Sequence, residues 1–146
     1  MLTVPRFVLD TNILVAASRH RAGPSYALVQ AIRRGRASMC CSNTLFLEYE
    51  AVLKRPAQRA VSGWSEQDVD AVLAELAGLL EPVRLHYRWR PQLRDPADEM
   101  VLEAAVNSGA DALITFNRRD FLPADRFGLA VLTPPEAWTK FHLDDA

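Results

Sequence analysis

Cysteine is almost absent. The chain has two among 146 residues, the adjacent Cys40 and Cys41, and they lie inside an apolar run. Such a pair suits small buried hydrophobes in a reducing compartment better than a disulfide framework or a thiolate metal site. The three histidines, His20, His86 and His142, share no zinc-like spacing, and none has a serine or cysteine placed with it as an evident nucleophile and base. Glycine is also sparse, six residues scattered along the chain, so no glycine-rich phosphate loop is present. No run approaches the ~20 apolar residues of a membrane span, and Met1 to Asp10 lacks the roughly 7–15-residue apolar stretch of a secretion signal. These absences together lead to the expectation of a cytoplasmic protein without a membrane anchor.

What is present suffices for an ordinary core. Apolar residues make up 49% of the chain, and no repeat, low-complexity tract or Gly/Ser linker divides it, so one domain over residues 1–146 is expected. Lys and Arg number 17 against 18 Asp and Glu, for a net charge of −1. The near-neutral total conceals an asymmetry: residues 1–60 carry 9 basic and 3 acidic side chains, residues 61–146 carry 8 and 15. All the cations except Lys54 and Lys140 are arginines, whose guanidinium binds phosphate bidentately and stacks on bases where lysine offers a point charge.

Short apolar runs alternate with helical periods. Strands are expected at Arg6–Asp10, Ala37–Cys41, Val83–Tyr87, Ala112–Phe116 and Ala130–Thr133. Between them, Ile13–Ser18 begins a helix and Gly23-Pro24 opens another that Gly35 stops. Ser42 or Asn43 caps a helix through Leu45, Tyr49 and Leu53 that is closed by Pro56. Ser65 with Asp68 opens one running to Pro82, Asp95-Pro96 opens one ended by Gly109, and Pro135–Phe141 forms the last. This rhythm implies an α/β/α sandwich around a mostly parallel sheet of about five strands, in which ligands bind at the carboxyl ends of the strands.

Several acids map to that edge. Asp10 ends the first strand, Asp98 lies in the first turn of the helix after a strand, and Asn117 to Asp120 follow the strand ending at Phe116. Glu48 sits within the helix after the second strand, where Leu45, Leu47 and Glu48 cannot all face solvent. Each alone has a plain structural reading: Asp10 as a helix cap, Asp98 as the acceptor of a capping box with Asp95, Glu48 as a solvated helix residue. Acids from separate segments that converge repel one another, and a hard divalent cation such as Mg²⁺ or Mn²⁺ keeps such a group ionised.

The chain resembles the PIN-domain nucleases, in particular the small bacterial toxins of toxin–antitoxin systems, the VapC-like branch and its relatives. The residues that carry the resemblance are Val8-Leu9-Asp10-Thr11-Asn12, Glu48 within Phe46–Leu53, Arg94-Asp95-Pro96-Ala97-Asp98 continuing to Leu102 with Ala104-Ala105, and Ala112–Phe121. They occur in the family's order and span nearly the whole chain.

The resemblance implies that Asp10, Glu48 and Asp98 are the main acids of a pocket for one or two Mg²⁺ or Mn²⁺ ions, with the fourth position divided between Asn117 and Asp120. Thr11, Asn12 and Thr115 would orient carboxylates by hydrogen bonds, and Asp95 would support Asp98 or cap its helix. The implied activity is metal-dependent hydrolysis of RNA phosphodiesters, single-stranded RNA being favoured, with Arg19, Arg21, Arg118 and Arg119 among the candidates for flanking phosphates. Family members commonly form homodimers, and the toxins bind a small antitoxin protein. Two other readings compete: a catalytically silent PIN fold acting as a protein- or RNA-binding module, suggested by Asn117, and a phosphoryl-transfer protein with its acid at a strand end. The second lacks both the acid expected two positions after a phosphatase nucleophile and the acid pair and late Lys of a receiver domain.

Overall fold

The computed structural model describes residues 3–86 and 93–144. Its centre is β1 (Arg6–Leu9), whose Phe7, Val8 and Leu9 are fully buried, as expected of a strand covered on both faces. β2 (Ser38–Ser42), β3 (Glu81–Val83), β4 (Ala112–Ile114) and β5 (Ala130–Leu132) join it in the order β3-β2-β1-β4-β5, every pairing parallel. Helices α1 (Thr11–Arg19), α2 (Pro24–Arg33), α3 (Asn43–Leu53), α4 (Pro56–Ser62), α5 (Glu66–Leu79), α6 (Pro96–Ser108) and α7 (Pro134–Lys140) flank the sheet. The expected α/β architecture with a five-stranded parallel sheet is therefore what the chain forms.

The strand order reverses between β1 and β4, which leave the centre in opposite directions. That is the switch point where parallel sheets open a crevice at their carboxyl ends. The register pairs Leu9 with Ile114, so the next residues, Asp10 and Thr115, emerge side by side.

Local differences from the sequence reading have physical causes. The third strand lies at Glu81–Val83 and not Val83–Tyr87; Tyr87 falls outside the described residues. Pro82 argues against a strand, but β3 is an edge strand, where a missing N–H is tolerated. Pro56, read only as closing the preceding helix, stands at the first position of α4, where its fixed φ is favourable. Residues Arg118–Phe127 form a 3-10 helix kinked at Phe121 and containing Pro123. Ser42 is the cap of α3, accepting a hydrogen bond from the Leu45 amide at 3.2 Å. Ser65 and Asp68 form the expected capping box.

Cys40 and Cys41 are both free and buried, and burial pushes their thiols up to about 11 and about 12. No helix among the described residues is long and apolar enough to cross a membrane.

Candidate active site

Asp10 follows β1 directly and is 7% exposed. Its backbone N–H extends the ladder to the Ile114 carbonyl at 2.9 Å, which fixes where the carboxylate leaves the sheet. It occupies the N-cap position of α1 but makes no capping hydrogen bond through its side chain. Instead Oδ2 accepts from the Thr115 hydroxyl at 2.6 Å. Burial raises the Asp10 pKa above the ordinary carboxylate value; the Thr115 hydroxyl and the nearby Thr11 and Asn12 amides pull against that shift, and the charge of Asp120 adds to it.

Thr115 is fully buried and serves two partners: it donates to Asp10 and accepts from the Asn117 N–H at 3.0 Å. The Asn117 carbonyl in turn accepts from the Asp120 N–H at 3.0 Å. A continuous set of hydrogen bonds thus joins the carboxyl end of β1 to the start of the 3-10 helix.

Asp98 stands in the first turn of α6. Its pKa is pushed up to about 6, first by burial and then by the negative charges of Asp10, Asp95 and Asp120. Asp95 caps α6, accepting from the Ala97 N–H at 2.9 Å, so it acts as a cap and also bears electrostatically on Asp98. Asp10, Asp95, Asp98 and Asp120 therefore form one group of mutually repelling carboxylates.

Glu48 is half-buried on α3 and makes no hydrogen bond or ion pair among the described residues. Its neighbour Tyr49 is fully buried and donates from its hydroxyl to the Leu9 carbonyl, tying α3 to the end of β1 one residue before Asp10. Leu45 is buried and Leu47 is 54% exposed, which resolves the facing of that helix. Of the two candidates for a fourth ligand, Asp120 is the one whose charge reaches Asp10 and Asp98, whereas the Asn117 side chain makes no capping bond. Thr11 and Asn12 lie in the first turn of α1, and Asn12 Oδ1 is buried with no hydrogen-bond partner.

The arginines divide. α1 runs back from the acids, and at 1.5 Å per residue its end is roughly 13 Å away. Arg19 is there, donating to Gln58 Oε1 at 2.8 Å, and exposed Arg21 follows it. Arg118 is paired with Glu136 at 2.8 Å. Arg119 instead lines a cleft of about 630 Å³ together with Leu93, Arg94, Asp95, Asp98, Asp120, Leu122 and Pro123. Arg94 closes the stretch Arg84 to Arg94, which its interleaving with Tyr87 and Trp89 makes the more suggestive candidate for phosphate contact in the sequence. Leu122 and Pro123 carry no such signal, because the 3-10 segment offers no apolar period to read.

A family model of the PIN domain matches residues 6–119, most of the chain. The chain belongs to the PIN-domain family, whose members are generally metal-dependent nucleases. No curated protein matches it at a significant level.

The donor set fits a hard divalent cation in its chemistry: oxygen donors only, one of them deeply buried, with repulsion that a positive charge relieves. Among the described residues no three His, Cys, Asp or Glu side chains stand close enough to form a ready-made cage. Mg²⁺ does not require one, since it is usually bound through one or two carboxylates and keeps several waters.

Proposed function

We propose that this chain is a Mg²⁺- or Mn²⁺-dependent endoribonuclease acting on single-stranded RNA, and the toxin of a toxin–antitoxin pair. The observation that carries the nuclease reading is the convergence of Asp10, held by Thr115, with Asp98 and Asp120 at the switch point of the sheet. Asp10 and Asp98 would hold the cation, with Asp120 or Asn117 and Glu48 as further oxygen donors. Bound there, a divalent ion supplies Lewis-acid polarisation of the phosphate and activation of a water.

The chain's own residues do the rest. Thr115 holds one Asp10 oxygen in a fixed direction, leaving the other for the ion. Arg94 and Arg119, on the two walls of the cleft, offset the repulsion between the acids and an incoming phosphate chain. Asn12, with its unpartnered buried oxygen, is suited to accept a hydrogen bond from a water at the site. The toxin role, an antitoxin protein as partner, a homodimer and a cytoplasmic location rest on the resemblance to the VapC-like branch.

The test is cleavage of end-labelled single-stranded RNA with Mn²⁺ or Mg²⁺ by the wild type and by the Asp10→Asn and Asp98→Asn proteins. Each substitution is expected to lower kcat by roughly 10²–10³, the scale of losing a preorganised electrostatic group. Equal cleavage by all three overturns the site. No cleavage of any RNA and no Mn²⁺ binding supports the silent binding module instead.

A further inference from the structure

The 116–122 stretch leaves two large apolar side chains in water, Leu122 in the cleft with the acids and Phe116 directly after Thr115. Phe116 is 43% exposed and Leu122 64% exposed, and Phe116 is the one aromatic among the described large hydrophobics left exposed. The same stretch buries Phe121 to 1% exposure, so this corner has room in the core for an aromatic ring and uses it for a different one. Phe116 is also held firmly in place. Thr115 before it is fully buried and bonded to Asp10, and the Asn117 N–H after it is bonded back to Thr115. Its ring therefore departs from a fixed backbone point next to the Asp10 carboxylate.

Charge is arranged to match. Of the adjacent Arg118 and Arg119, the first is neutralised by Glu136, while the second lines the cleft with Asp120 and Leu122 and makes no ion pair among the described residues. Along the chain, the stretch thus presents an exposed ring at Phe116, then, lining the cleft, an available guanidinium beside an acid and an apolar rim of Leu122 and Pro123. Bases of a duplex are stacked on one another and offer no face to such a surface; splayed bases of a single strand do, while the guanidinium takes the phosphate between them.

We propose that the corner from Thr115 to Pro123 is a single-strand platform, on which Phe116 and Leu122 each take an unstacked base and Arg119 takes the intervening phosphate. This rests on the nuclease reading and names the residues that would hold the strand at the site. Phe116 and Leu122 are specificity residues and take no part in bond breaking.

The experiment measures KM and kcat with Mn²⁺ on a single-stranded oligoribonucleotide, on the same sequence annealed to its complement, and on a series carrying one abasic nucleotide at each position. Phe116→Ala is expected to raise KM for the single strand roughly tenfold with little change in kcat, the scale of losing one base stack. Phe116→Trp is expected to retain wild-type KM. An abasic nucleotide at one position should cost the wild type about the same factor, and cost Phe116→Ala nothing further, because ring and base then belong to one contact. Both side chains are exposed, so unchanged thermal unfolding of Phe116→Ala and Leu122→Ser is the folding control. Wild-type KM in both variants, or losses that add between protein and RNA, overturns the platform while leaving the nuclease intact. A wild type that neither binds nor cleaves any RNA removes both.

Discussion

Asp10 and Asp98 hold the same functional group in two different conditions. Asp10 is deeply buried but has a hydroxyl donor, whereas Asp98 is less buried and is destabilised by three neighbouring negative charges. Thr115→Val removes the donor while keeping the shape. It is expected to cost about 1–3 kcal/mol in urea unfolding, the price of leaving a buried polar group unsatisfied, and to weaken Mn²⁺ dependence by freeing the carboxylate to turn. The pKa of Asp98 is raised as that of Asp10 is, but without a hydroxyl donor to oppose the shift. Its folded pKa, about 6, lies above the unfolded value near 3.8, so the folded state binds the proton more tightly. Stability is highest where both states are protonated relative to charge repulsion and is lost as pH rises from about 4 through about 6. Since Asp98 is partly exposed, solvent screening reduces the effect to about 1 kcal/mol. Metal-free protein should therefore melt at a higher temperature at pH 5 than at pH 7.5 as far as this group is concerned. Asp98→Asn should flatten that slope and raise the melting temperature at pH 7.5 while lowering activity, a trade common at active sites. A variant with an unchanged pH slope in calorimetry contradicts the assignment of the strain to Asp98.

The elements that place these residues were legible to different degrees. β1, β2 and β4 are continuous apolar runs, and α2, α5 and α6 carry both a period and matched end signals such as Gly23-Pro24, the Ser65–Asp68 box and Asp95-Pro96 closed by Gly109. What sequence could not reveal is which acids share a space, because that depends on the register that sets Leu9 beside Ile114 and on how far each helix turns away. Asp95 illustrates this: beside Pro96 it reads as a helix cap, and in the fold it caps α6 and also bears electrostatically on Asp98. The 3-10 helix was invisible because a three-residue repeat interrupted by Pro123 mimics a polar loop. α3 itself is tied to the end of β1 by the Tyr49 hydroxyl on the Leu9 carbonyl, a polar anchor in an apolar interface. Tyr49→Phe keeps the packing and deletes that bond, so a loss of roughly 1–2 kcal/mol in chemical denaturation is expected. If α3 is held by packing alone, the variant will unfold at the wild-type midpoint.

Across the whole molecule, the basic first part and acidic second part are joined by their opposite charges. Arg6 pairs with Glu81, Arg33 with Glu75 and Lys54 with Asp70, at 2.9, 2.7 and 2.7 Å, while Arg36 donates to the Leu143 carbonyl. Exposed pairs of this kind stabilise little, but they engage three of the nine cations of residues 1–60 with acids of the second part. Among the described residues, the cations that line the cleft with the acids are Arg94 and Arg119. This limits the salt dependence of substrate capture. For single strands the slope of log affinity against log salt is about −0.7 per neutralised phosphate, so two contacts give about −1.4. A nuclease that relied on its full set of arginines would show a slope several times steeper. Measured as log kcat/KM on single-stranded RNA against log KCl at fixed Mn²⁺, the slope should fall to about −0.7 in Arg119→Ala. It should be unaltered in Arg21→Ala, whose side chain lies beyond the far end of α1. A steep wild-type slope, or one that Arg21→Ala reduces as much as Arg119→Ala does, would move the RNA path away from the cleft and onto the surface at the opposite edge of the sheet.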